Sequence, residues 1–196
     1  MELMAFLKSF IYLVSSSLLF PVLLLLCLLT LWTVVYSGHF FSMWLSRRRL
    51  KPDPLAAASE KEFSAFPPDV RAFTDKLLAI PHDHRREIAV LNLLREMEHR
   101  MWKSLDGLKM LIRIGPGLGL IGTLIPMGTG LASLGQGDIS RLSGDLVIAF
   151  TTTVVGMALG LAAYCFFTVR RRWIEEDIKN MELVAEIVEH GHRSGG

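Results

Sequence analysis

Residues 115–130, GPGLGLIGTLIPMGTG, form an uncharged segment that is rich in glycine, proline and threonine. In a water-soluble helix each interior glycine costs about 1 kcal/mol relative to alanine, and an interior proline costs about 3 kcal/mol or more. A membrane changes this balance, because every backbone polar group must be bonded within the protein and small residues let neighbouring helices approach closely. The segment therefore predicts a membrane helix that faces other protein helices or a polar path.

The composition of the whole chain also indicates an integral membrane protein. Of 196 residues, 51% are hydrophobic and only 20% are charged. The formal net charge of +2 is too small to indicate nucleic-acid binding. Cys27 and Cys165 both lie in apolar runs, so neither a disulfide framework nor a cysteine metal site is expected.

Three segments are long and apolar enough to cross a hydrocarbon core of about 30 Å. The first lies within residues 10–45, and the others run over 111–134 and 144–169. A cleaved signal peptide is the alternative interpretation of the first segment. Its nearly neutral start, its length and the lack of a small-residue cleavage site before Arg47 all disfavour that alternative.

The positive charges indicate how the chain crosses the membrane. Basic residues follow the first segment, precede the second and follow the third: Arg47–Arg49 with Lys51, Lys109 with Arg113, and Arg170–Arg172. Three crossings bring all of these clusters to one side, which the positive-inside rule identifies as the cytoplasm. The N-terminus is then expected outside and the C-terminus inside.

We therefore predict an alternation of membrane and cytoplasmic parts along the chain. They are an N-terminal segment with transmembrane helix 1 (1–46), a cytoplasmic helical region (47–110), transmembrane helix 2 (111–134), a short extracytoplasmic loop (135–143), transmembrane helix 3 (144–169) and a cytoplasmic C-terminal helix and tail (170–196).

The cytoplasmic part reads as helical. Phe66-Pro67-Pro68-Asp69 is a turn that starts a helix near Val70. After residue 83, apolar residues spaced by three and four predict one long helix that runs into transmembrane helix 2 without a break before Gly115. The residues of this stripe are Ile88, Leu91, Leu94, Met97, Met101, Leu105, Leu108 and Ile112. Transmembrane helix 3 continues past Arg172, and we expect the two extensions to pack as a cytoplasmic helical bundle.

Other patterns in the chain have ordinary structural interpretations. His82-Asp83-His84 and His190-Gly191-His192 lack further ligands at a suitable spacing, so we interpret them as a solvated helix start and a tail rather than metal sites. Glu175-Glu176-Asp177 is interpreted as the wet face of a helix. We find no nucleophile with a base and no phosphate-binding loop, because no strand precedes Gly115. The sequence thus predicts neither an enzyme nor a cofactor.

Two stretches, together with the predicted topology, resemble the MotA/TolQ/ExbB proton channel family over about residues 97–172. The first matches the pattern P-x-x-G-L-x-G-T-x-x-x-M at Pro116, Gly119, Leu120, Gly122, Thr123 and Met127. The second matches A-L-x-T-T-x-x-G at Ala149, Thr152, Thr153 and Gly156, with Phe150 in place of leucine.

The resemblance implies an all-α membrane protein that forms a homopentamer around a central pore. Helices 2 and 3 would surround the pore, and helix 1 would lie outside toward lipid. The pore would hold the single transmembrane helices of a partner resembling ExbD, TolR or MotB, whose aspartate is the usual ion carrier. Flow of H⁺, or else Na⁺, across the cytoplasmic membrane of a bacterium or archaeon would then drive work across the envelope.

Candidate site residues fall into two sets. The residues expected to pack helices 2 and 3 together are Gly115, Pro116, Gly119, Gly122, Pro126, Gly156 and Gly160. The residues expected along the ion path are Thr123, Thr152, Thr153 and Asp145. Each threonine has two interpretations: its hydroxyl bonds the carbonyl four residues earlier in a packed helix, or it is offered to water or a carboxylate on the path.

Asp145 is the only carboxylate within or bordering a predicted span, and it also has two interpretations. Acids inside membranes are costly and usually functional, but Ser143-Gly144-Asp145 also reads as the N-cap and first turn of a helix. Relatives resembling ExbB and TolQ carry a glutamate where this chain has Ile148. That absence leaves a second function open, a nonconducting scaffold that positions a single-span partner.

Overall fold

The computed structural model describes residues 2–49, 66–81 and 85–193. These ranges are helical and contain no strand. The helices are α1 (Glu2–Arg49), α2 (Pro68–Leu78), α3 (Arg86–Lys103), α4 (Asp106–Leu134) and α5 (Ile139–Arg193). The helical segments Ser17–Arg48, Arg86–Leu134 and Ile139–Val188 each contain a stretch that is long and apolar enough to cross a membrane. Within these ranges the predicted all-α class is confirmed, and so is the presence of three helical segments with the length and hydropathy of a membrane span.

The long helix predicted before transmembrane helix 2 is interrupted at Ser104 and Leu105. The Ser104 N–H donates to the carbonyls of Arg100 and Met101, and the Leu105 N–H donates to Trp102 at 3.1 Å, which tightens the last turn of α3. The Ser104 hydroxyl also donates to the Met101 carbonyl at 2.6 Å. A serine hydroxyl that competes for a helix carbonyl favours such breaks, so the prediction of one uninterrupted helix is wrong here.

Helix α4 continues through Pro116 and Pro126. Each proline lacks a backbone N–H, so the carbonyls of Ile112 and Gly122, four residues earlier, have no partner in the α-helical ladder. Neighbouring helices and side chains make such positions tolerable in membrane helices.

The link between α4 and α5 is shorter than predicted. Gly137 has a positive φ of 79°, and the Arg141 N–H donates to Asp138 Oδ1 at 3.0 Å. Asp138 is therefore the N-cap of α5, which begins at Ile139. The interpretation of Ser143-Gly144-Asp145 as a helix start is wrong, because these residues already lie inside the helix.

The chain forms two compact units, and the first comprises residues 1–38 and 108–166. In this unit α1, α4 and α5 pack around Val22, Leu26 and Leu159, which are buried. Leu29, Leu118 and Val155 pack against them. Tyr36 of α1 also lies against Phe166 of α5, with ring centroids 5.6 Å apart.

The second unit comprises residues 39–107 and 167–196. Its buried apolar residues come from α2 and the turn before it, from α3 and the break after it, and from α5: Phe66, Val70, Phe73, Leu77, Val90, Met97, Met101, Leu105, Ile174, Met181 and Val184. The predicted apolar stripe is correct in its second half only. Ile88 and Leu91 are 70% and 48% exposed, because the helical row through Met97 and Met101 extends back to Val90 instead.

His82-Asp83-His84 lies outside the described residues, as do the side chains of His190 and His192. Among the residues that the structure describes, no group of three or more His, Cys, Asp or Glu side chains is arranged to hold a metal ion.

Candidate functional site

Helices α4 and α5 of the first unit touch backbone to backbone. A Cβ atom placed on Gly156 would lie 2.6 Å from the carbonyl oxygen of Gly115 and 2.7 Å from Cα of Gly119. Real Cβ atoms do not approach other atoms so closely, so only glycine at position 156 permits this spacing.

The same interface extends in both directions from Gly156. At Gly160 a Cβ would lie 2.8 Å from Cγ of Pro116, and at Gly122 it would lie 2.8 Å from Cβ of Thr152. Pro126, one turn beyond Gly122, is buried. Gly115, Pro116, Gly119, Gly122, Gly156 and Gly160, which were expected to pack these helices together, thus lie on the facing sides of α4 and α5.

A hydroxyl pair bridges the two helices beside this glycine contact. Thr123 Oγ1 and Thr153 Oγ1 form a hydrogen bond, and both residues are half-buried. Thr123 Oγ1 also donates to the Gly119 carbonyl at 2.8 Å. Because a threonine hydroxyl has one proton, Thr153 is the donor of the pair whenever Thr123 donates to Gly119. The pair therefore retains acceptor capacity on both oxygens.

Thr152 occupies a different environment from Thr153. It is buried against Gly122, and its hydroxyl donates to the Ala149 carbonyl at 2.9 Å. Thr152 therefore fits the interpretation in which a threonine hydroxyl bonds a carbonyl of its own packed helix, although the carbonyl lies three rather than four residues earlier. Thr123 makes a backbone bond of the same kind, to Gly119, but unlike Thr152 it is half-buried and also bonded to Thr153 across the interface.

Asp145 lies in α5, facing α4. Its Oδ2 accepts a hydrogen bond from Thr129 Oγ1 at 2.9 Å, and its Cβ lies 3.2 Å from where a Cβ on Gly130 would be. The carboxylate is half-buried. The interpretation of Asp145 as part of a helix start is wrong, because Asp138 caps the helix. The structure instead places the Asp145 carboxylate at the α4–α5 interface.

Sequence reasoning missed Thr129, although it lies in the segment that identified the membrane helix. Three contacts each join a residue of α4 to a residue of α5 that is about equally distant from the link. They are Gly119 with Gly156, Thr123 with Thr153 and Thr129 with Asp145. A short link joining two antiparallel helices produces this register. The pairing of Thr129 with Asp145 could therefore have been predicted from the sequence if the length of the link had been known.

Ile148, the position at which the sequence resemblance implies a glutamate, is 38% exposed. Two pairs of polar side chains that join α4 to α5 by hydrogen bonds are Thr123 with Thr153 and Thr129 with Asp145. Asp145 lies about one turn from Ile148 on the same helix.

A buried ion pair in the second unit was also missed. Asp177 is 1% exposed and pairs with Arg47, whose guanidinium lies 5.1 Å from the centre of the Trp173 ring. Burial raises the pKa of Asp177 to about 6, although the hydrogen bond and charge of Arg47 lower it. The interpretation of Asp177 as part of a wet face is wrong, because it faces α1 while Glu175 and Glu176 face solvent.

Comparisons with known proteins find a family and a relative that are similar in sequence. The model of the MotA/TolQ/ExbB proton channel family matches residues 71–183. A biopolymer transport protein ExbB homologue of Methanothermobacter thermautotrophicus is 24% identical over 135 residues, which cover 67% of this chain and 48% of that protein. The chain thus spans about half the length of that relative. No solved structure matches.

Proposed function

Because the chain belongs to the MotA/TolQ/ExbB proton channel family, we propose that it is an ion-conducting subunit of a membrane motor, with the proton as its ion. The observation that carries this proposal is the Thr123–Thr153 hydroxyl pair. It lies half-buried between two helices whose glycines bring the backbones into contact. Hydroxyl oxygens inside a membrane can accept hydrogen bonds from a passing hydrated proton and so take the place of water around it.

The proposed assembly follows the family. Five copies surround a pore that holds the single transmembrane helices of an ExbD-, TolR- or MotB-like partner. The N-terminus lies outside and the C-terminus in the cytoplasm, with the second unit as a cytoplasmic helical bundle. The basic residues Arg170–Arg172 and Lys109 support this orientation through the positive-inside rule. The membrane is the cytoplasmic membrane of a bacterium or archaeon.

The test is proton flux in proteoliposomes that contain the chain together with its single-span partner. We expect Thr123→Val and Thr153→Val each to reduce flux about tenfold or more, the rate equivalent of losing a hydrogen bond to a charged species. Thr151→Val is the matched control, because Thr151 is exposed and donates to the Val147 carbonyl of its own helix at 2.7 Å.

Unchanged flux in both variants would show that the hydroxyl pair is not on the ion path. The second candidate function is a nonconducting scaffold that positions the partner. The apolar side chain at Ile148 favours this candidate, since it leaves that position without an ionisable group. A scaffold predicts that partner binding survives in every threonine variant while wild-type vesicles show no proton flux above that of empty vesicles.

A further inference from the structure

The Thr129 hydroxyl, which donates to the Asp145 carboxylate, also lies close to a backbone carbonyl of its own helix. Thr129 Oγ1 lies 2.9 Å from Asp145 Oδ2 and 3.0 Å from the carbonyl oxygen of Pro126. The hydroxyl has one proton and two close acceptors, with the Ile125 carbonyl farther away at 3.5 Å, so it can donate to only one of the two at a time. Its own backbone carbonyl accepts from the Ser133 hydroxyl at 3.0 Å, which ties the turn of α4 on the other side.

The two acceptors correspond to two protonation states of Asp145. When the carboxylate is ionised, Thr129 donates to Oδ2 in a charge-assisted hydrogen bond. When it is protonated, the new carboxyl O–H donates to Thr129 Oγ1, and the threonine proton turns to the Pro126 carbonyl. Rotation of one hydroxyl thus satisfies both states, with no orphaned donor in either.

The groups that face Asp145 across the interface, Thr129 and Gly130 of α4, are both uncharged. On the adjoining link and the first turn of α5, the charged side chains are Asp138 and Arg141, and both are exposed. Asp145 lies seven residues after Asp138, about 10 Å along the helix, which is within reach of water entering from the link.

We propose that Thr129 is the positioning residue that makes Asp145 a reversible proton-binding site at the link end of the α4–α5 interface. A proton from water attaches to a carboxylate oxygen of Asp145 and later leaves to water or to a partner carboxylate, and no other covalent bond changes. Proton binding itself is a property of these two residues; its place on the conducting path rests on the proposed function.

The first measurement is infrared difference spectroscopy of the full chain with its partner, titrated between acidic and neutral pH. Asp145→Asn should remove one protonated-carboxyl band, which assigns that band. In Thr129→Val the same band should move to higher frequency, because the carboxyl group loses its hydrogen bond. Thr129→Ser, which retains the hydroxyl, should leave the band at its wild-type frequency.

The second measurement is proton flux in the same preparations. Thr129→Val should reduce flux about tenfold or more and displace its pH profile, whereas Thr129→Ser should stay within about twofold of wild type with an unchanged profile. Equal band positions in Thr129→Val and wild type would overturn the proposal, as would failure of serine to restore them. A band that follows Na⁺ concentration rather than pH would overturn it in favour of a sodium site.

The two proposals can fail separately. If the Thr123 and Thr153 variants lose proton flux while Thr129→Val leaves both the carboxyl band and the flux unchanged, the proposed role of Thr129 is wrong and the proposed function is retained. If wild-type vesicles show no flux, the proposed function falls, and the band shift in Thr129→Val still decides whether Thr129 positions the carboxyl group.

Discussion

Individual side chains in this protein differ in function from neighbours of the same type. Thr152 and Thr153 are adjacent, yet the first is buried with its hydroxyl bonded to Ala149, while the second bridges to Thr123. Asp177 and Glu176 are adjacent as well, and only Asp177 is buried against Arg47. A helix turns about 100° per residue, so one step along the chain separates an interface from a wet face.

Asp177 makes a prediction about pH. Its pKa of about 6 in the folded protein lies above its ordinary value of 3.8, so the folded state binds this proton more tightly than the unfolded state. The contribution of Asp177 to stability is therefore greatest below about pH 4, falls as the pH rises to about 6 and is constant above that. The full difference is about 3 kcal/mol, from a shift of about two units at 1.36 kcal/mol each.

The measurement is thermal unfolding in detergent between pH 4 and 7, followed by tryptophan fluorescence. Asp177→Asn should remove the part of the pH dependence that lies between about pH 4 and 6. Glu182→Gln, an exposed acid on the same helix, should keep it. Identical pH profiles of wild type and Asp177→Asn would show that Asp177 does not titrate in this range.

At the scale of helices, the contact between α4 and α5 depends on glycines more than on any polar group. A Cβ on Gly156 would meet backbone atoms, which cannot rotate away as a flexible side chain can. The helices would have to separate, and with them Thr123 from Thr153 and Thr129 from Asp145. The glycine contact therefore sets the geometry of both hydrogen-bonded pairs.

Gly156→Ala should destabilise the protein by about 1–3 kcal/mol, the usual cost of overpacking. Gly117→Ala is the control, because a Cβ there has no atom within 4 Å and alanine is the better helix former. Circular dichroism melting in detergent should therefore give a lower Tm for Gly156→Ala and an equal or higher Tm for Gly117→Ala. Equal melting of the two variants would contradict the close contact.

At the scale of the whole molecule, the family and the composition favour an assembly over a single chain. The first unit leaves many large apolar side chains of α4 and α5 exposed, among them Leu120, Leu124, Phe150 and Val154. In a membrane such surfaces face lipid or other helices. The proposed homopentamer would cover part of them with neighbouring copies and partner helices.

Native mass spectrometry of the purified complex tests this assembly. We expect a species of five chains of 22.0 kDa each, with additional mass from a single-span partner when the two are coexpressed. Detergent variation serves as the control, because a specific oligomer keeps its stoichiometry when the detergent changes. A monomer as the main species in every detergent would contradict the proposal.

The amino-acid sequence was enough to predict the helical class, three apolar segments of membrane-spanning length and the family, because these depend on local hydrophobicity, small-residue content and a motif read along one chain. It also placed Gly119, Gly156, Thr123 and Thr153 in one interface. The three-dimensional structure was needed to show that Thr123 pairs with Thr153 while Thr152 is bonded within its own helix, that Thr129 meets Asp145, and that Asp177 is buried. Those pairings depend on the register between helices, and the register follows from Asp138 capping α5 at a turn that hydrophobic patterns do not reveal.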